Sequence, residues 1–250
     1  MIKFEKTWTT GWDPAIRGMR NPKNSWHLSD SVNVTSINDN YHIGDKDLDL
    51  AMRLVKGGPV HAKFRRMIKV YVDITAPLYW WKEFDTYKVG TVANSCSTMH
   101  KLTAKEFTRD DFSFEHLVYE FIDVHELGYT DEPTISSYVL SELIIEMLNH
   151  YREQYLICES KLKNKELQLT KAERKHVAAQ KKAFWWQMIQ LLPSSYNQKR
   201  TIELDYEVLA NIYHSRYGHP LDEWCIDFIN WIETLPYSEL ITGEKENEKD

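Results

Sequence analysis

Alternation of apolar and polar side chains between residues 68 and 75 is the feature that most restricts the fold of this chain. β-branched side chains occupy every second position, at Ile68, Val70, Val72 and Ile74. A period of two places these side chains on one face of a strand. Pro77 follows at once, in a position where the first turn of a helix accepts proline. We therefore expect a half-buried strand that leads into a helix from Leu78 to Val89, which Gly90 ends.

The residues after this strand have a composition suited to the lining of a pocket. Between Pro77 and Lys101, large aromatic and ionisable side chains come first, and small polar residues that include Asn94 and Ser97 come next. Ligand sites combine apolar walls with a few converging polar groups. We expect the small polar residues to form a turn after the helix. Trp80 and Trp81 are expected in the core or in a subunit interface, with flavin or base stacking as the alternative.

Short elements are expected before the strand. Residues 2–9 predict a strand, Ala15–Met19 a short helix and 23–44 a polar loop. Residues 48–55 have helical spacing before a glycine-rich break. His61 follows that break, and by itself it predicts a hydrogen-bonded surface histidine rather than a catalytic one.

The charge balance of the chain restricts its partners. The 250 residues carry a formal net charge of -6, so no overall positive field is available to attract a nucleic acid. The first residues lack the apolar core of a signal peptide, and no stretch is apolar enough to span a membrane. We expect a cytoplasmic protein without nucleic-acid or membrane partners.

The cysteines argue against metal and thiol chemistry. The chain contains three, Cys96, Cys158 and Cys225, and their spacing matches neither a zinc site nor a disulfide framework. Reduced thiols and no bound metal are the simplest interpretation. Cys96 and His100 are a loose pair without a third group to orient them, so catalysis by cysteine is not favoured. The common dinucleotide, P-loop, hydrolase and zinc-protease motifs are absent.

A helical hairpin is expected between about 134 and 192. Apolar residues line one side of Ile135–Cys158, and Thr170–Leu191 begins with the threonine and glutamate of a capping box. Lys161–Lys182 contains eight basic residues and two acidic ones. This charge run predicts a solvated face of the hairpin, and contact with an anionic partner is the alternative.

Arg216 is the most informative charged residue of the C-terminal part. It lies in a predicted helix, Asp205–Tyr217, and shares a face of that helix with Leu209 and Ile212. An arginine on an apolar face needs an anionic partner, and Asp205 lies roughly 16 Å away along the helix axis. Two partners remain open for Arg216: another carboxylate of the protein, or an anion or carbonyl group of a ligand.

The order of these parts resembles the flavin-dependent thymidylate synthase family. The family signature, R-H-R-x-x-S-x-N-E-x-S-x-R-Y after a strand and a helix, falls on Tyr87–His100 with Asn94 and Ser97 in step. In the family, a histidine precedes the strand and proline by the interval that separates His61 from Pro77, and it contributes to the flavin site. The resemblance covers roughly residues 45 to 235, by spacing more than by identity.

Elements after the signature are similar as well. The family has a leucine-proline pair, a short strand, a helix and a terminal helix, which correspond here to Leu192–Pro193, Tyr196–Leu204, Asp205–Tyr217 and the helix that contains Trp224. Asn211 and Arg216 match a flavin-side and a nucleotide-side position of the family.

The resemblance implies roles for six side chains. Ser97 and Arg216 would orient a pyrimidine nucleotide, whereas cofactor contacts would come from His61, Lys88, Asn94 and Asn211. No catalytic residue or metal ligand is expected, because the protein groups would position and polarise the reactants rather than attack them.

The implied fold is α+β, with an antiparallel sheet packed with long helices and a helical hairpin, in a single domain over 1–240 that is followed by a disordered tail over 241–250. The implied activity is the reductive methylation of dUMP. Methylenetetrahydrofolate would supply the carbon, and FAD reduced by NADPH would supply hydride. The resemblance also implies a homotetramer with its pocket at subunit contacts.

Several arginines of the family pattern are missing. Val89, Met99 and Ile189 stand at their positions, which removes charge-assisted hydrogen bonds to phosphate groups. Cations that would restore positive charge from other directions are Lys63, Arg65, Arg66, Lys82 and Lys88. Two alternatives therefore stand beside the family activity: an enzyme that acts on another pyrimidine nucleotide, and a diverged non-catalytic paralogue that binds a nucleotide or a protein partner.

Overall fold

The computed structural model describes residues 1–33, 41–97, 101–122 and 135–243. These residues form two compact units. The sheet unit consists of the described parts of Met1–Ala76, Trp80–Ser95 and Lys199–Asp250, and the hairpin unit consists of those of Pro77–Tyr79 and Cys96–Gln198. The single domain expected over 1–240 stays a prediction.

The main helices and strands follow one another in mixed order, as an α+β protein requires. In chain order they are β1 (Lys3–Thr10), α1 (Trp12–Arg20), β2 (Val32–Asn33), β3 (Tyr41–His42), α2 (Asp45–Lys56), β4 (Lys69–Pro77), α3 (Leu78–Phe84), β5 (Val92–Ser95), β6 (Phe121–Ile122), β7 (Ile135–Ser136), α4 (Ser137–Lys163), α5 (Lys171–Leu191), β8 (Asn197–Asp205), α6 (Tyr206–Arg216), α7 (Ile229–Glu233) and α8 (Glu239–Thr242).

A four-stranded sheet in the order β1-β4-β8-β5 is the frame of the sheet unit. β1 pairs with β4 and β5 pairs with β8, both antiparallel. β4 confirms the strand predicted from the alternating side chains: Val70, Val72 and Ile74 are buried, and the polar residues between them are half-buried. The predicted α+β class with an antiparallel sheet is confirmed.

The helix expected to continue to Val89 is shorter than predicted, because α3 ends at Phe84. The backbone N–H and the hydroxyl of Thr86 both donate to the carbonyl of Glu83, at 3.1 and 2.7 Å. This turn closes the helix, and Val89, with 90% of its surface exposed, offers no apolar contact that would extend it.

The polar turn expected around Asn94 is also wrong. Val92–Ser95 form the edge strand β5, in which Asn94 lies opposite Thr201 of β8. All four side chains of β5 are exposed. The strand is therefore held by its backbone pairing with β8 rather than by burial of its side chains.

Aromatic side chains fill the core of the sheet unit. Trp80 and Trp81 are buried, which confirms a core position for both. The ring centre of Trp80 lies 4.5 Å from that of Trp224 and 5.7 Å from that of Phe228. The predicted helix around Trp224 begins with a π-helical turn, Glu223–Phe228, before it continues as α7.

A buried ion pair joins α1 to α2. Arg20 Nε donates to Asp47 Oδ1 at 2.5 Å, and the two side chains are 4% and 0% exposed. Asp47 Oδ2 accepts hydrogen bonds from the hydroxyls of Ser29 and Ser31 and from the backbone N–H of Asp30 and Ser31. Part of the predicted loop over 23–44 is therefore organised around one carboxylate, and residues 34–40 lie outside the described part of the chain.

Gly11 makes the connection between β1 and α1 possible. Its φ of 87° lies in the left-handed region, which side chains other than glycine rarely adopt. A Cβ atom at this position would lie 2.0 Å from the carbonyl oxygen of Met67. Close approach of the two backbones therefore requires glycine here.

The hairpin unit is built on the two long helices α4 and α5. The capping box of α5 is confirmed: Thr170 Oγ1 accepts from the N–H of Glu173, and the N–H of Thr170 donates to the Glu173 carboxylate. Leu148 and Met188 are buried between the helices, and Ile189 packs against the same core. Most of the basic run is exposed, and Lys181 lies 2.8 Å from Glu159.

None of the helices in the described residues is both long and apolar enough to cross a lipid bilayer. At the C-terminus, Ile241 is buried in α8, so the ordered chain extends past the predicted start of the tail. Residues 244–250 lie outside the described part.

We predict that Asp47→Asn lowers the free energy of unfolding by roughly 3–5 kcal/mol, because Arg20 would remain buried without its counter-ion. Asp49→Asn is the matched control: Asp49 lies on the same helix and pairs with Arg53 at 2.7 Å, but both side chains are 66% exposed. The control is expected to cost less than about 1 kcal/mol. Urea denaturation of both variants measures the difference, and equal costs would contradict the assignment.

The same carboxylate makes stability depend on pH. Burial opposes ionisation of Asp47, but hydrogen bonds from Ser29, Ser31 and Arg20 outweigh it and hold the pKa of this carboxyl below its ordinary value of 3.8. Its contribution is therefore complete above pH 3.8 and is lost as the pH falls through the lower folded-state pKa. The stability gap between the native chain and Asp47→Asn should narrow over that acidic range. A gap that does not change with pH would refute this.

We predict that Gly11→Ala costs clearly more stability than Gly58→Ala. Both glycines have similar φ, 87° and 88°, so both substitutions carry a backbone strain of about 1–2 kcal/mol. Only the Cβ at Gly11 meets a neighbouring backbone atom, whereas the one at Gly58 enters open space. Thermal or urea unfolding compares the pair, and similar losses would show that Met67 moves aside freely.

Candidate functional site

A cavity in the sheet unit is the first candidate site. It has a volume of about 560 Å³ and lies among α1, α2 and the short 3-10 turn Lys63–Met67. His61, which the sequence assigns to the cofactor, lines it. The complete lining is Pro14, Arg17, Gly18, Met19, Asn21, Pro22, Lys23, Ser25, Leu50, Leu54, Val60, His61, Lys63, Phe64 and Met67.

The charged side chains around this cavity are cationic. Arg17, Lys23 and Lys63 line it together with His61, and the described lining contains no carboxylate. Arg17 has an acidic neighbour, Asp13, at 3.7 Å, but the two side chains are 67% and 63% exposed, so the pair neutralises little. Apolar side chains supply the rest of the wall. The cavity therefore suits a ligand with a planar or apolar body and an anionic part.

A second buried ion pair positions the turn that carries Lys63. Arg65 Nη2 lies 2.7 Å from Glu207 Oε2, and both side chains are 7% exposed. Arg65 Nη1 also donates to the carbonyl of Leu240 at 3.1 Å. Arg65 was predicted as a cation for a ligand, and this is wrong because the protein already neutralises it. Lys63 lines the cavity, and the role predicted for it stays a prediction.

Arg216, at the end of α6, is the second candidate position. Its Nε donates to the hydroxyl of Tyr87 at 2.9 Å, and its Nη1 donates to Glu83 Oε2 at 2.6 Å. The guanidinium lies 4.5 Å from the ring centre of Trp224, and Nη1 lies 2.9 Å from Nε2 of His219. Of the two partners that the sequence left open, the structure shows the protein carboxylate. Only 16% of the Arg216 side chain is exposed.

The remaining predicted residues do not line the cavity. Asn94 and Lys88 are exposed on β5 and on the loop before it, and Asn211 is exposed on α6. Of the six predicted site residues, Ser97 belongs to the hairpin unit. The other five, His61, Lys88, Asn94, Asn211 and Arg216, belong to the sheet unit. The structure thus places His61 in a cavity and Arg216 in an ion-paired cluster.

Asp205 has a structural role. It caps α6, because its carboxylate accepts the N–H of Val208 at 3.0 Å, and it lies 3.3 Å from Lys69 Nζ. Two residues named with the signature, Met99 and His100, lie outside the described part of the chain.

The thiols and the titratable side chains of the described residues give no sign of a metal centre. All three cysteines are in the described residues and none is bonded to another; Cys96 is exposed and Cys158 is buried. Within the described ranges, no group of three or more His, Cys, Asp and Glu side chains is placed to hold a metal ion.

Sequence reasoning missed three residues of these sites. Arg17 and Lys23 flank the end of α1, where the Asn21–Pro22 pair was interpreted only as a helix stop. Glu83 was overlooked because nothing local in the sequence links it to Arg216. A signal was available for Arg17, which is an exposed residue of a short amphipathic helix whose Ala15, Ile16 and Met19 are buried.

Solved structures identify the fold. The chain is similar to flavin-dependent thymidylate synthase ThyX from Helicobacter pylori, complexed with FAD and dUMP, with a TM-score of 0.55 and 16% identity over 95% of this chain and 98% of that one. A second crystal structure of ThyX from the same organism, also with FAD and dUMP, gives a TM-score of 0.56 and 14% identity over 97% and 98%. Neither a protein-family model nor a curated protein sequence matches the chain significantly. The fold is therefore that of ThyX, as the sequence resemblance implies.

Proposed function

We propose that this chain is a thymidylate synthase-like nucleotide enzyme that binds FAD and a pyrimidine nucleotide. One observation carries the proposal: His61 lies in a cavity whose described lining contains cations and no carboxylate. The reaction that best fits the fold is reductive methylation of dUMP, or of another pyrimidine nucleotide, in a homotetramer. NADPH and methylenetetrahydrofolate would be the co-substrates.

The composition of the cavity wall supports FAD as its ligand. Phe64, Leu50 and Leu54 supply apolar walls for a planar ring system, and Arg17, Lys23 and Lys63 supply donors for the anionic pyrophosphate. These three cations compensate for arginines that the family pattern has and this chain lacks. Further cofactor contacts would come from Lys88, Asn94 and Asn211. Bound flavin would supply hydride transfer, a chemistry that protein side chains do not provide.

The chain's own residues would bind and orient the reactants. Arg216 would hold the pyrimidine. The role that the family resemblance implies for Ser97, in the hairpin unit, stays a prediction. Tyr87 and Trp224 fix the guanidinium of Arg216, one by accepting a hydrogen bond from it and the other by lying against its face. A guanidinium held in this way loses little conformational entropy when a ligand binds.

A second candidate function is a non-catalytic protein that binds a nucleotide or a protein partner. The neutralised arginines favour it, because Arg65 pairs with Glu207 and Arg216 pairs with Glu83. Binding without turnover would need fewer charged contacts than catalysis, which depends on groups aimed at charge that develops in the transition state.

Titration with FAD tests the cavity. The native chain should quench FAD fluorescence saturably, and Lys63→Met should bind FAD roughly tenfold more weakly, because it removes one charge-assisted contact and keeps most of the apolar stem. Lys175→Met is the control, since Lys175 is exposed on α5 in the hairpin unit. A protein that is purified colourless and gains no flavin on titration would refute the cofactor assignment and favour the second function.

A separate measurement tests Arg216. Arg216→Ala should weaken binding of dUMP markedly in calorimetry, by about tenfold or more, because a charged donor to the pyrimidine is lost. Arg53→Ala, which removes an exposed arginine from α2, should leave the affinity unchanged. Unchanged affinity in Arg216→Ala would remove this residue from the nucleotide site.

A further inference from the structure

The ion pair between Glu83 and Arg216 leaves two polar atoms open. Glu83 Oε2 accepts from Arg216 Nη1 at 2.6 Å and from Trp224 Nε1 at 3.0 Å. The described residues give no partner to the other carboxylate oxygen, Oε1, or to the second terminal nitrogen, Nη2, of Arg216. The two side chains are 36% and 16% exposed. The pair therefore offers one acceptor atom and one donor group to which the described residues give no hydrogen-bond partner.

Both atoms are held in place before a ligand arrives. Two donors fix Oε2, and this sets the direction in which Oε1 points. The guanidinium is fixed by Tyr87 and by the ring of Trp224. Preorganised groups of this kind give specificity at a small entropic cost.

The charge of the pair restricts the ligand. Arg216 alone would attract a phosphate, but Glu83 neutralises it, and an anion at Nη2 would also approach a carboxylate. A neutral planar group avoids this repulsion. The matching group has an N–H donor beside a carbonyl acceptor, since a carboxylate accepts from ring N–H groups and arginine donates to carbonyl oxygens.

We propose that Glu83 is a specificity-determining residue that, together with Arg216, reads the lactam edge of a pyrimidine. Glu83 Oε1 accepts the hydrogen of ring nitrogen N3, and Arg216 Nη2 donates to the adjacent carbonyl oxygen at C2, which uracil and cytosine share. This assignment rests on the proposed function, which places a pyrimidine at Arg216. It names a uracil-type base as the ligand, and it excludes a phosphate group from this position.

Glu83→Gln provides a sharp test, because it replaces the acceptor at Oε1 with a hydrogen-bond donor. Trp224 Nε1 and Arg216 Nη1 both need an acceptor, so the amide oxygen of the glutamine takes the place of Oε2. Its NH2 group then occupies the place of Oε1 and presents a donor. This donor faces the N3–H of uracil unfavourably, but it matches the bare N3 of cytosine.

Calorimetry with dUMP, N3-methyl-dUMP and dCMP measures this selectivity. The native chain should bind dUMP about tenfold or more tightly than N3-methyl-dUMP. Glu83→Gln should lose that preference and bind dCMP better than dUMP. Glu142→Gln is the matched control, since Glu142 pairs with Arg109 at the same 2.6 Å and with similar exposure, but in the hairpin unit. It should keep the native selectivity, and circular dichroism confirms folding of each variant.

The outcomes separate this inference from the proposed function. Equal affinities of the native chain for dUMP and N3-methyl-dUMP would overturn the hydrogen bond proposed between N3–H and Glu83, even if the chain binds FAD. Saturable FAD binding without binding of any pyrimidine nucleotide also overturns it and leaves the flavin assignment intact. N3–H selectivity that Glu83→Gln abolishes supports the inference, even in a chain that binds no flavin. If Glu83→Gln fails to fold, the affinities of the native chain for the three nucleotides decide whether the N3–H group is recognised.

Discussion

The buried ion pair between Arg65 and Glu207 connects both candidate regions of the sheet unit. Arg65 belongs to the turn that carries Lys63 to the cavity, and Glu207 lies in the first turn of α6, which ends at Arg216. The carbonyl of Leu240 joins the pair as a third partner. Charges this deeply buried are stable only with nearly complete hydrogen bonding. The turn and the helix are therefore fixed together, and neither can shift without exposing an unpaired charge to the core.

Elements specified by local interactions could be predicted from the sequence. The alternation that defines β4 and the capping box of α5 each depend on residues a few positions apart, and the structure confirms both. The core position of Trp80 and Trp81 and the α+β class also follow from local pattern and element order. In these segments propensity and packing agree, so the sequence alone is sufficient.

Elements that depend on distant partners could not be predicted. Val92–Ser95 become a strand only because β8 supplies the pairing, about a hundred positions later in the chain. Arg65 looked available to a ligand because Glu207, its partner, is 142 positions away. The same limit applies to the candidate site. His61 was found through a family interval and Lys63 lies two positions after it, but Arg17 and Lys23 come from α1 and from the turn after that helix. The residues next to an arginine in the sequence do not show whether it forms an ion pair in the fold or stays available to a ligand.

The distribution of charge in the sheet unit says more about its chemistry than the incomplete signature does. Under the proposed function, a flavin pyrophosphate would need several cations. Arg17, Lys23 and Lys63 line the cavity beside His61, and the exposed pair of Arg17 with Asp13 neutralises little. A pyrimidine ring is neutral and needs a donor and an acceptor in fixed positions, which is what an arginine paired with a carboxylate provides. Loss of phosphate-binding arginines at one position and neutralisation of an arginine at another are therefore compatible with binding both ligands. Under the proposed function, what would change is where the anionic and the neutral parts of the ligands are recognised.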